Sequence, residues 1–207
     1  MRLSGESKLF VGIFLVTIII IGIAVLFFSQ PAATYSKEEL LPSGVVTKGN
    51  VQAKVYLVEF SDFQCPACVS YKPTVDKIVE ENKDKMLFGY RHFPLSQHQF
   101  ALPAAYASEA ALEQGKFWEM YDFLFTNQEN LADDKMKEGA QKIGLDMNKF
   151  DDAIKSETIQ NKVTKDMTDG NKFGVDATPT FFLNGSKLDL LNKDDLENAV
   201  KKAISSS

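Results

Sequence analysis

Cysteine, histidine, tryptophan and long basic runs are all scarce in this sequence. Two cysteines in 207 residues exclude a small fold stapled by several disulfides. The only histidines, His92 and His98, lie 24 and 30 residues beyond Cys68, a separation that does not match zinc-finger ligand spacing. Net charge is −5 with a pI near 5.2, and it falls to −6 once Arg2, Lys8 and Glu6 of the first thirty residues are set aside. With no basic face or run, nucleic acid is excluded as a partner. No repeat appears, and no low-complexity stretch beyond Ser205–Ser207. What is present is globular: 44% hydrophobic, 25% charged, and sixteen Phe residues to fill a core. The 177 residues after position 30 make one domain, or one domain with an insertion.

Residues 9–28, LFVGIFLVTIIIIGIAVLFF, carry no charge. Twenty residues of helix reach about 30 Å, the hydrocarbon thickness of a bilayer. A cleaved signal peptide usually has a shorter apolar core, and here Pro31 would fall at the −3 position of the best cleavage site. The length therefore predicts an uncleaved anchor. Arg2 and Lys8 keep residues 1–8 in the cytoplasm, which puts the rest of the chain on the extracytoplasmic face. Pro, Gly, Ser and charges mix over residues 31–50, which read as a tether, with the linker proper at 29–44 and the domain at 45–207.

Val55–Ser61 alternates, with Val55, Leu57, Glu59 and Ser61 on one face and Tyr56, Val58 and Phe60 on the other, as a strand does. Cys65-Pro66-Ala67-Cys68 follows a short turn. A helix is expected from Pro66 to Asn82, burying Val69, Val75, Ile78 and Val79 and kinked at Pro73, and then a second strand over Met86–Phe93. Strand, helix, strand predicts a right-handed βαβ unit. From about 97 to 173 the chain is Ala-, Glu- and Lys-rich with helical periodicity, which predicts four or five short helices as an inserted layer. Strands resume at Thr180–Leu183, turn at Asn184-Gly185 and return over Lys187–Leu190, before a last helix near Lys193–Ile204.

The chemistry rests on the cysteines. As a structural bridge, C-x-x-C closes too short a loop to stabilise by more than about 2 kcal/mol. As a metal site it is half complete. Its position suits another role. Cys65 stands at the mouth of a strand–helix turn, before a Pro favoured at the first helical position. There, free N–H groups and the positive end of the helix dipole favour a thiolate. A drop in pKa from about 8.5 to about 6 raises the thiolate fraction at neutral pH to about 90%. Cys68, one turn further in, is the more buried partner, and such an exposed, low-pKa pair exchanges readily. Glu59, six residues earlier, would be partly buried with a raised pKa and able to handle the Cys68 proton, or else an ordinary residue at a wet strand edge. Thr178-Pro179 either simply starts a strand or, with a cis bond, presents the Thr178 backbone to an extended substrate.

The CPAC motif after VYLVEFSDFQ, together with RHFPLSQHQFALPAAYASEAA, GKFWEMYDFLF and FGVDATPTFFLNG, resembles the DsbA-like branch of the thioredoxin superfamily over residues 45–204. The resemblance implies an α/β thioredoxin fold with an inserted all-helical subdomain, here preceded by one N-terminal transmembrane helix. It implies a redox-active Cys65–Cys68 pair flanked by the active-site loop residues Pro66 and Ala67. A cis-Pro at Pro179, a buried acid at Glu59 and substrate contacts at Thr178 and Pro179 are implied as well, with no cofactor or metal. Strongly oxidising members carry Pro-His between the cysteines. Pro66-Ala67 lacks the imidazolium, so a less oxidising pair is expected, by about 30 mV for each 1.4 kcal/mol of lost thiolate stabilisation.

The expected activity is extracytoplasmic insertion of disulfides into exported proteins, with a quinone-linked membrane thiol oxidase as re-oxidant and the membrane engaged through the anchor. A reductase or isomerase of the same fold, or a metal-binding carrier module, is the alternative. Elsewhere the expectations are structural. Arg91, His92 and His98 take surface or loop roles. Phe117, Trp118 and Tyr121 belong to the core of the inserted layer. Asp133-Asp134, Asp151-Asp152 and Asp194-Asp195 sit at helix starts. Asn184-Gly185-Ser186 is a glycosylation sequon explained by its turn.

Overall fold

A computed structural model describes Phe10, residues 13–22 and residues 33–207. The chain divides into two units, residues 1–33 and 34–207. In the first, Phe10 and residues 13–22 are helical, with their large apolar side chains exposed. The remainder of the expected 9–28 span lies outside the described residues, among which no helix is long and apolar enough to cross a membrane.

Residues 34–207 form a thioredoxin-like α/β fold with a helical insertion. The strands are β1 (Val46–Gly49), β2 (Val55–Ser61), β3 (Met86–His92), β4 (Thr180–Leu183) and β5 (Ser186–Lys187), in the order β1-β3-β2-β4-β5. β2 and β3 run parallel, joined by a helix as their spacing requires, and the other pairs are antiparallel. Every residue of β2 is buried, which marks it as the central strand. Its alternation serves two cores: Val55 and Leu57 face the larger, Tyr56, Val58 and Phe60 the smaller.

The helices are α1 (Lys37–Leu40), α2 (Pro66–Asn82), α3 (Ala101–Leu112), α4 (Phe117–Thr126), α5 (Asp133–Lys142), α6 (Met147–Ala153), α7 (Glu157–Lys172) and α8 (Lys193–Ser205). Helix α2 begins and ends at the predicted residues with Pro73 inside it, and it buries Val75, Ile78 and Val79, while Val69 is only half-buried. Helices α3 to α7 and a 3₁₀ turn at Gln128–Asn130 form the insertion. Phe117 and Tyr121 are in its core, with Trp118 packed against them. The Asn184-Gly185 turn has positive φ at both residues, and the Asn184 side chain accepts from the Tyr56 amide at 2.9 Å. β5 stops at Lys187 rather than Leu190.

Three expectations are corrected. Residues 34–50 are not a free tether: α1, capped by Ser36 and Glu39, and β1 both lie here, Leu40 is fully buried, and Tyr35 packs on Phe173 and Phe182. Arg91 and His92 are not surface residues. Arg91 is wholly buried, bonded to Asp166 at 2.8 Å and Asp169 at 2.6 Å, and pins α7 to the sheet. Burial without those carboxylates would leave an unpaired charge. Asp151 and Asp152 sit toward the end of α6, not at its start, whereas Asp133, Asp134, Asp194 and Asp195 occupy first turns as expected.

Candidate active site

Cys65 is the N-cap of α2 and Pro66 its first residue. Asp62 builds the loop before them. Its buried carboxylate accepts from the amides of Gln64 (2.7 Å) and Leu95 (2.8 Å) and meets His98 Nδ1 at 2.7 Å, while its carbonyl accepts from Cys65 N–H. From the insertion, Gln128 donates to the carbonyls of Phe63 and Cys65, both at 2.9 Å. From the β4 side, the Thr178 carbonyl lies 3.2 Å from Cys65 Sγ. Cys65 is held from three directions, its backbone by Asp62 and Gln128 and its sulfur by Thr178.

Both thiols are free, and both cysteines are buried while Pro66 and Ala67 between them are exposed. Cys65 is only 6% exposed, a correction to the open position its sequence context suggests. Its pKa is held down to about 5. The Cys68 thiol donating to it is the largest cause. Burial opposes this, and Thr178 and the backbone amides of Cys68 and Ala67 add to the lowering. Those amides are the free N–H groups of a helix start, so this part of the stabilisation follows from Cys65 being the N-cap. Cys68 behaves oppositely: burial first, then its hydrogen bond to Cys65 and the charge of Glu59, push its thiol far up. One sulfur is an anion at neutral pH and the other keeps its proton.

Glu59 is not at a wet edge. It is 2% exposed on the central strand, and burial pushes its carboxyl up to about 7, with Asp76 and Cys65 raising it further and Ser61 and Lys72 opposing. An acid poised there can give or take a proton at neutral pH. The Thr178–Pro179 bond is cis, Thr178 is buried beside Cys65, and Pro179 is half-buried. The structure thus gathers Cys65, Cys68, Glu59, Thr178, Pro66, Ala67 and Pro179 in one place. Asp62 and Gln128 were not singled out in the sequence. Asp62 carries a readable signal, a side chain capping the amide two residues on. Gln128 carries none, because its partners lie more than sixty residues away.

Residues 42–202 match the thioredoxin family. The chain belongs to the thioredoxin family. Its solved likenesses within the thioredoxin fold include the thiol-disulfide exchange protein alpha-DsbA2 from Wolbachia pipientis (20% identical, TM-score 0.71, covering 81% of this chain and 91% of that one). A thioredoxin-like oxidoreductase from Silicibacter pomeroyi is 22% identical with a TM-score of 0.72, over 84% of this chain and all of that one. BdbD from Bacillus subtilis is 21% identical with a TM-score of 0.69, over 85% and 100%. Among curated proteins, the Na(+)/H(+) antiporters NhaA 1 of Mycolicibacterium gilvum and Mycolicibacterium vanbaalenii are 38% and 40% identical to it, over 68% and 67% of this chain. The chain spans only 23% of their length, and the antiporter name stays with those proteins. Family and site agree: this is a thioredoxin-family chain with two free thiols set at the start of α2 beside a cis-Pro.

Proposed function

We propose that this thioredoxin-family chain is a DsbA-like thiol–disulfide oxidoreductase that introduces disulfides into exported proteins. The observation that carries the reading is the split between the sulfurs, Cys65 a stabilised thiolate and Cys68 a buried thiol. A substrate thiolate attacks Cys65 of the oxidised pair; the S–S bond breaks and Cys68 leaves, taking a proton from Glu59. A second substrate thiolate attacks the substrate sulfur of the mixed disulfide, and Cys65 departs as its thiolate. Thr178 and Pro179 hold the substrate beside Cys65. Stabilising the departing thiolate favours the reduced enzyme, which makes the disulfide an oxidant. Donation by Cys68 and by backbone amides serves in place of the imidazolium that Pro66-Ala67 lacks.

A membrane quinone-linked thiol oxidase restores the disulfide, and residues 9–28 anchor the chain with its domain on the extracytoplasmic face. Anchoring keeps enzyme and re-oxidant at high local concentration. Protease added to intact cells should then degrade the domain; protection would place it inside. The central test is equilibration of residues 31–207 with glutathione buffers. A potential near DsbA's, about −120 mV, supports the oxidase, and one near thioredoxin's, about −270 mV, supports a reductase instead. Cys65→Ala should abolish exchange with the fold intact, and alkylation of Cys65 in the parent should rise with a midpoint near pH 5. Exchange retained by Cys65→Ala would remove the assignment, and a stoichiometric metal in the reduced protein would favour a carrier.

A further inference from the structure

Two positions on β2 and their partners on β3 place four polar residues side by side on one face of the sheet, Glu59 against Tyr90 and Ser61 against His92. All four are at most 2% exposed. One atom of each, Glu59 Oε2, Ser61 Oγ, Tyr90 Oη and His92 Nδ1, is buried without a hydrogen bond to any protein group. The described residues contain six such atoms, and four fall on this patch. Unpaired buried polar atoms are rare in native cores, and a cluster of them is the setting in which internal water is found.

The patch joins two things. At one end the Ser61 hydroxyl is near enough to favour the anions of Glu59, Cys68 and Tyr90 alike, so it stands between the buried cysteine and the carboxyl. At the other, His92 Nε2 lies 3.0 Å from Glu109 Oε1, and Glu109 Oε2 lies 2.5 Å from Nζ of Lys162, whose side chain is 27% exposed. Aromatic rings surround the polar groups: Phe63 is 5.3 Å and Tyr121 5.3 Å from the Tyr90 ring, and Phe117 is 6.1 Å from that of His92. Glu59 itself is only 2% exposed, with Lys72 and Asp76 of α2, besides Cys65, the charged groups acting on it, and in the proposed cycle each turnover moves one proton through it.

We propose that Ser61, Tyr90 and His92, with ordered water between them, form a relay that carries the Glu59 proton to and from solvent at Glu109 and Lys162. When Cys68 leaves the disulfide with the bonding electron pair, it takes the Glu59 proton and an S–H bond forms. The carboxylate is then restored by one proton passed inward, each relay member breaking one O–H or N–H bond and forming another. Inward transfer starts from the tautomer with the proton on Nδ1: that proton passes to the patch while Nε2 takes one from Lys162 through Glu109, and re-oxidation runs the same exchange outward and restores the first tautomer. Ser61, Tyr90 and His92 are positioning residues in this scheme; they touch no substrate.

The inference rests on the thiol–disulfide reading and is separable from it. The full chain is reduced by excess dithiol, and the rate of disulfide cleavage is followed against pH for the parent, Ser61→Ala, Ser61→Thr and Tyr90→Phe. Ser61→Ala and Tyr90→Phe should slow the step by about tenfold or more, and Ser61→Thr, which keeps the hydroxyl, should restore it. The alkylation midpoint of Cys65 should not move. A crystal structure showing ordered water on these four atoms completes the support. Rates within about twofold of the parent, a shifted Cys65 midpoint, or direct protein hydrogen bonds in place of water would each overturn the relay. In all three cases exchange would still depend on Cys65, whereas failure of the reading itself would show as exchange surviving Cys65→Ala.

Discussion

Glu59 is where a single residue couples the site to the stability of the fold. In the unfolded chain its carboxyl titrates near 4.5; in the fold, burial holds it at about 7. The folded pKa is the raised one, so the contribution to stability is complete below pH 4.5 and is lost as pH rises through about 7. Over that window the folded protein binds the proton that the unfolded chain has released. Glu59→Gln mimics the protonated acid at every pH. It should therefore match the parent near pH 4 and exceed it by about 3 kcal/mol near pH 8, as read by urea unfolding of the reduced form. An equal difference at both pH values would show that the carboxyl is ordinary. The alternation of β2 gave the face on which Glu59 lies, but not its burial. That depends on β3 and β4 flanking the strand, a contact no local pattern encodes. His92 and Arg91 illustrate the same limit, since their partners Glu109, Asp166 and Asp169 come from helices of the insertion.

Between elements, the insertion acts on the cysteine loop through Gln128. Its amide group donates twice, to Phe63 and Cys65, from the 3₁₀ turn that follows α4. Removing the side chain leaves two carbonyls short of a donor at the point where α2 begins. Gln128→Ala should lower stability by about 1–2 kcal/mol. Amide exchange at Gln64, Cys65 and the first turn of α2 should quicken, while amides in β4 keep their protection. Uniform loss of protection would mean a global effect, with no special hold on the loop. The long elements were legible because their periodicity is strong: α2 and β2 start and stop at the predicted residues. Short ones were not. β1 and α1 have four residues each, fewer than a period count resolves, although Ser36 and Glu39 do spell a capping box.

At the scale of the whole domain the sheet separates two cores of unequal size. The larger supports the cysteines from below with α2, α8 and the insertion. The smaller is a nest of rings, with Phe60 edge-on to Phe93, Phe173 and Phe182, closed by Tyr35 and Leu40 from the N-terminal segment. Gly89 is part of that closure, because a side chain there would collide with Leu41. The segment is tied further by Thr34 bridging to Ser186, by Tyr35 N–H donating to the Gly185 carbonyl, and by Arg91 donating to the Glu39 carbonyl. The folded unit accordingly starts near residue 34, and its Pro- and Ser-bearing composition resembled a tether only because four-residue elements leave so little pattern. Leu40 measures how far the fold depends on this cover. It is fully buried, and truncating a buried leucine destabilises by about 2–5 kcal/mol. Leu40→Ala in the full chain should lose that amount while the Cys65 alkylation midpoint stays near pH 5, since the cysteines pack against the opposite core. A loss below about 0.5 kcal/mol would return residues 34–44 to the status of a linker.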